Sequence, residues 1–156
     1  MSENMLSEDE VKRFNHAASG YGAVVVGQDP QSREDVLRNH LEGPFIAIDC
    51  SKVDSEEDYI IEGLSQFDNV DVEELDKTYL SGRDLNREIR NQQYSILVLE
   101  FEELDSELQT YVARLNKGLA ERMNYEKMIG YACTEEDSVV SAEFDLSMRV
   151  RSWDIS

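Results

Sequence analysis

The sequence predicts an α/β fold: a parallel five-stranded sheet with helices on both faces, three layers in all. Two observations predict it. Short apolar runs alternate with stretches of helical period along the chain, and such alternation calls for a parallel sheet covered on both sides. The first run, Ala23 to Val26, leads through a glycine and a polar turn holding Pro30 into a helix opening near Ser32. Strand, tight loop and helix in that order form the opening unit of many nucleotide-binding domains.

The elements follow in order. Ser7-Glu8-Asp9-Glu10 is a capping box, with Ser7 as N-cap and Glu10 at the third helical position. Val11, Phe14 and Ala18 give that helix an apolar stripe, and Ser19 to Gly22 end it. Residues 1–21 are thus read as an N-terminal helix and residues 22–156 as a single α/β domain. Ala23 to Val26 is too apolar for an exposed edge strand. The next helix is expected from about Ser32 to Leu41, with Val36, Leu37 and Leu41 inward and Gly43-Pro44 as its stop.

Phe45 to Cys50 reads as the second strand, and Ser55 caps a helix carrying Tyr59, Ile60, Leu64 and Phe67. Asp68 to Leu80 reads as an acidic loop with one helical turn. Ser81 caps a helix from Gly82 to about Gln92, and Tyr94 to Leu99 is the third strand. A long amphipathic helix spans roughly Ser106 to Met123, with Leu108, Tyr111, Val112, Leu115 and Leu119 on one face. Lys127 to Cys133 is the fourth strand. Val139 to Leu146 is a turn or short helix, and Val150 to Ile155 a short final strand.

Composition narrows the function. The 156 residues suffice for one domain with a core. No apolar run approaches the length of a membrane-spanning helix, and Met1 to Glu10 lacks the apolar segment of a signal peptide, so a cytoplasmic protein is expected. Asp and Glu number 34 against 15 Lys and Arg, for a net charge of −19, and arginine outnumbers lysine. Evenly spread acid with little lysine resembles the proteins of extreme halophiles. There, carboxylates hold a hydrated surface and concentrated salt screens their repulsion. The same acidity argues against nucleic acid as a partner, since phosphate contacts need Lys and Arg. Cys50 and Cys133 have neither C-x-x-C spacing nor a nearby histidine, so they read as buried strand-end residues.

Laid on the phosphate-loop pattern G-x-x-x-x-G-K-[ST], residues 27–34 match only at Gly27. Ser32 stands at the second glycine, Arg33 at the lysine and Glu34 at the hydroxyl ligand of Mg²⁺. Further on, Ile96-Leu97-Val98-Leu99-Glu100 is an apolar strand ending in an acid. Met128 to Thr134 is a strand ending in a polar residue, and Leu146 to Val150 holds Arg149. In this order the motifs resemble the core of an AAA+ ATPase, a P-loop NTPase-like fold, and are similar to the archaeal and eukaryotic origin-recognition initiators. The resemblance covers about Gly22 to Ser156. It places Gly27 at Walker A, Glu100 at Walker B, Thr134 at sensor 1 and Arg149 in the segment of the arginine finger. It implies a nucleotide site built from Gly27, Ser32, Arg33, Glu34, Glu100, Thr134 and Arg149.

The departures fall on chemistry. Phosphates need loop N–H groups, close backbone approach and a compact ammonium. Ser32 brings a Cβ, Arg33 a wider planar head, and Glu34 a carboxylate. Phe101 stands where the family's catalytic glutamate follows, although a slip of one residue would let Glu102 replace it. The family's helical lid is not expected in a chain that ends at Ser156. Hydrolysis needs groups acting together, so no catalytic residue is assigned, and no cofactor beyond doubtful ATP and Mg²⁺. Glu100, Glu102, Glu103 and Asp105 read as a solvated acidic turn before a Mg²⁺ site. His16 and His40 read as solvated helix residues, and Trp153 as core.

Three functions stay open. One is a catalytically inactive AAA+-like module that acts on a protein partner, as a regulator. Another is a nucleotide-binding switch or weak ATPase using Arg33 in place of the lysine. A DNA-associated initiator relative ranks last because of the acidity.

Overall fold

A computed structural model describes residues 6–75, 80–134 and 151–155. Helices α1 (Glu8–Ser19), α2 (Pro30–His40), α3 (Glu56–Leu64), α4 (Gly82–Gln92) and α5 (Ser106–Ala120) alternate with strands β1 (Ala23–Val26), β2 (Phe45–Asp49), β3 (Ser95–Leu99), β4 (Ile129–Cys133) and β5 (Arg151–Asp154). The strands form one sheet in the order β2-β3-β4-β1-β5, and every pairing is parallel.

Alternate residues of one strand serve opposite faces. Ala23 and Val25 of β1 join Phe14, Val36, Leu37 and Ala132 beneath α1 and α2. Val24 and Val26 join Ile48, Tyr59, Leu85, Val112 and Tyr131 beneath α3, α4 and α5. This double burial is why the strands read as continuous apolar runs. Cys50 and Cys133 are buried free thiols, and burial pushes the Cys50 thiol well above its ordinary range.

Ser7 and Glu10 close the capping box of α1. Ser55 caps α3 by accepting from the Asp58 N–H at 3.1 Å. Between α3 and α4 the acidic loop holds a 3-10 turn, Val72–Glu74, among the described residues. α5 ends at Ala120, three residues before the expected end, and Met123 is fully exposed. The expected turn at Val139 to Leu146 lies outside the described residues.

At the outer edge of β2, the Gln66 side-chain amide accepts from the Ala47 N–H at 3.0 Å and donates to the Ala47 carbonyl at 2.8 Å. His40 differs from the solvated residue expected. It is half-buried, and its Nε2 accepts from the Leu6 N–H at 3.2 Å. Burial lowers its proton affinity, which fits a nitrogen used as acceptor. His16 is exposed. Trp153 is half-buried and meets the Phe14 ring edge-on at 5.0 Å.

Candidate functional site

The carboxyl ends of β1, β2, β3 and β4 gather Gly27, Asp49, Glu100 and Thr134 at one edge of the sheet. Open α/β sheets bind their ligands at this edge. The helix that follows β1 starts earlier than expected. α2 begins at Pro30, with Asp29 as N-cap, so only Gly27, Gln28 and Asp29 separate strand from helix. Pro30 fits the first helical position because it has no N–H to lose there. Ser32 and Arg33 therefore lie in the first turn of the helix, where the phosphate-loop template puts the end of an open loop.

This early start changes what the helix N-terminus offers. Such a terminus attracts anions through free N–H groups and the dipole. Here Pro30 removes one donor, and the Asp29 carboxylate already stands at the terminus. The Ser32 hydroxyl donates to Asp29 Oδ2 at 2.6 Å. That hydroxyl is the main reason the Asp29 carboxyl sits below the usual range. The Ser32 and Gln31 N–H groups add less, and neither closes a cap hydrogen bond of normal geometry.

Arg33 turns inward and is 2% exposed. Its Nη1 donates to the Gly27 carbonyl at 2.5 Å, and its Nη2 lies 3.7 Å from Glu100 Oε1. At that distance the contact is an ion pair without a hydrogen bond. Arg33 Nε has no hydrogen-bond partner among the described residues. The Gly27 N–H is also taken, donating to the Cys133 carbonyl at 3.3 Å.

Glu100 sits at φ 56°, in the left-handed region. Its carboxyl is raised above the usual range by desolvation first, then by the charges of Asp49 and Glu102, with Arg33 acting the other way. Thr134 is tied to Glu102. Its hydroxyl donates to Glu102 Oε1 at 2.6 Å, and its N–H donates to the same oxygen. Glu34 pairs with Arg38 along α2 at 2.7 Å. Asp49 is held locally by the Ser51 N–H and hydroxyl.

The structure thus brings Gly27, Arg33 and Glu100 into one cluster and Thr134 into a neighbouring one with Glu102. Ser32 is engaged by Asp29, and Glu34 pairs with Arg38 while lining the space beside Arg33. Arg149 lies outside the described residues. The space left beside Arg33, Asp49 and Glu100 is about 100 Å³, against roughly 300 Å³ at the small end of ligand sites. Among the described residues, no three His, Cys, Asp or Glu side chains are grouped to hold a metal ion. Asp105 instead caps α5, accepting from the Leu108 N–H at 2.8 Å.

The fold resembles that of solved structures. A chain in the structure of Drosophila ORC bound to AT-rich DNA and Cdc6 superposes with a TM-score of 0.57 at 13% identity, covering 95% of this chain and 28% of that one. The fold is AAA+-like. The corresponding Drosophila structure with GC-rich DNA gives a TM-score of 0.54, again at 13% identity, with 94% and 27% covered. Cdc6p from Pyrobaculum aerophilum gives 0.53 at 13% identity, with 84% and 38% covered. The chain thus spans well under half of the length of each. No protein-family model and no curated protein matches its sequence. Within the AAA+-like fold, no helix among the described residues is long and apolar enough to cross a membrane.

The sequence reading passed over Asp29 and Asp49. Asp29 had a signal, since Asp followed directly by Pro, with Ser three residues on, is a helix start. Asp49 had one too, as the acid ending the second apolar run.

Proposed function

We propose that this chain is a catalytically inactive AAA+-like module that works through protein–protein contacts, as a regulator. The carrying observation is Arg33. Arg33 stands at the lysine in the sequence pattern, and its guanidinium is committed to Gly27 and Glu100. The acids around it, Asp29, Asp49, Glu100 and Glu102, repel an incoming phosphate. In the Drosophila structures a chain of similar fold belongs to an assembly of ORC, DNA and Cdc6. An assembly role through a protein partner, with nucleic acid disfavoured by the charge of −19, is the part of that setting proposed here.

Calorimetric titration of MgATP and MgADP in molar KCl tests the reading. No heat and no thermal shift are expected. Micromolar binding that Arg33→Ala abolishes would establish the other reading, a nucleotide switch in which Arg33 serves as the lysine. That reading draws on one fact, the retention of a cation at this position.

The acidic surface supports a second element of the proposal, an origin in a halophilic archaeon and a cytoplasmic site of action. The screening length grows from about 3 Å at 1 M salt to about 30 Å at 0.01 M. Repulsion among 34 carboxylates then reaches across the molecule. Dialysis from molar KCl into dilute buffer is expected to reduce the helical circular dichroism signal. A spectrum unchanged by dialysis counts against the halophilic origin.

A further inference from the structure

Half of the chain's ten arginines line one groove. Arg83, Arg87 and Arg90 lie along α4 at spacings of four and three residues, which place them on one face. Arg114 and Arg122 flank Gly118 on and just beyond α5. The groove holds about 360 Å³, and among the described residues no acid lines it. Gly118 leaves its floor open, with no atom within 4 Å of where a Cβ would stand.

Helix stability does not account for this cluster. Basic residues near a helix C-terminus complement the dipole, but Arg83 sits in the first turn of α4, where a positive charge opposes it. Asp84 reaches Arg87 at 2.8 Å from within the same turn. Arg87, Arg90 and Arg122 converge on one another. Arg90 is held below the usual guanidinium range by partial burial first, then by the charges of Arg122 and Arg87. In a chain of net charge −19, like charges gathered in a concave surface suit an anion from outside.

Asn86 identifies the kind of anion. It lines the same groove and is 7% exposed. Its Nδ2 donates to the Leu115 carbonyl at 2.8 Å, while its Oδ1 is buried and has no partner among the described residues. A buried acceptor needs a donor. A phosphodiester backbone has none to offer, whereas a peptide brings N–H groups together with its carboxylates. Arg83 to Arg90 also spans only about 10 Å, so a long polyanion would overhang into acidic surface.

We propose that the α4–α5 groove binds a short acidic segment of a partner protein. Its carboxylates pair with the arginines, and one of its N–H groups meets Asn86 Oδ1. The proposal rests on the reading of the chain as a protein-binding module and supplies the chemistry of the partner.

The test is fluorescence anisotropy with a labelled decaglutamate peptide and a thymidine oligonucleotide of equal charge, on the full chain, in molar KCl and along a KCl series. The peptide is expected to bind more tightly than the oligonucleotide. R90E/R122E is expected to weaken the peptide about tenfold or more, with a thermal midpoint unchanged or higher because repulsion is relieved. R83E, on an exposed side chain, is expected to weaken it as well. Absent peptide binding, equal binding by both variants, or tighter binding of the oligonucleotide overturns the proposal. The nucleotide titration separates this result from the broader reading. A chain that binds both MgATP and the peptide refutes the inactive site and leaves the groove assigned; one that binds neither does the reverse.

Discussion

Arg33→Ala is expected to lower folding stability by about 3 kcal/mol, read from urea unfolding in molar KCl, with nucleotide titrations unchanged. Removing one partner of a buried ion pair costs about 3–5 kcal/mol, because the other charge stays behind uncompensated. Glu100 is 27% exposed, which keeps the figure at the low end. The substitution also strips the Gly27 carbonyl of its Arg33 donor and leaves a void where the arginine stem packed. Acidification should shrink the loss. A carboxyl raised above its unfolded value destabilises the fold while ionised, and stability returns as pH falls through the folded value. Without Arg33, Glu100 faces only desolvation and the charges of Asp49, Glu102 and Glu103, so its value rises further. Arg33→Met with Glu100→Gln removes both charges at similar volume and is expected to recover most of the loss. A loss under about 1 kcal/mol for Arg33→Ala would mean that the ion pair does not hold the site closed.

Phe14→Ala is expected to cost about 4 kcal/mol, the typical range for a fully buried phenylalanine being 3–5 kcal/mol. Phe14 is 0% exposed. Its ring meets Trp153 of β5 edge-on at 5.0 Å and His40 of α2 at 6.4 Å, so one side chain ties the first helix to an outer strand and to the helix after β1. Trp153 is the sole tryptophan. Its emission should shift to longer wavelength in the variant as water reaches the ring, while Phe14→Leu, which refills most of the space, should shift it less. An unchanged spectrum and a loss under about 1 kcal/mol would mean that α1 does not hold the β5 edge.

The sheet was legible because its signal is strong. Runs such as Ala23–Val26 and Ser95–Leu99 are apolar throughout since both faces are covered, and the serines before α1, α3 and α4 marked those helices. Chain order alone carried no information on which strands pair, so the arrangement β2-β3-β4-β1-β5 came only with the structure. At the site, local and template signals competed. The phosphate-loop pattern set residues 27–34 in an open loop, while Asp29-Pro30 marked a helix start, and the local signal prevailed. Which way Arg33 turns was invisible, because its partners lie at the ends of β1 and of β3, six and 67 positions away in sequence. The arginines of the α4–α5 groove were all visible as residues; what brings them together is the packing of two helices separated by a strand.

Gln66 has a consequence for how the molecule behaves among its own copies. An outermost strand with free backbone donors and acceptors is a template onto which another extended chain can dock and start aggregation. At the middle of β2 the Gln66 amide does for Ala47 what a neighbouring peptide group would do. A single side chain thus imitates a neighbouring strand at the middle of β2 and hinders strand addition along that border of the sheet.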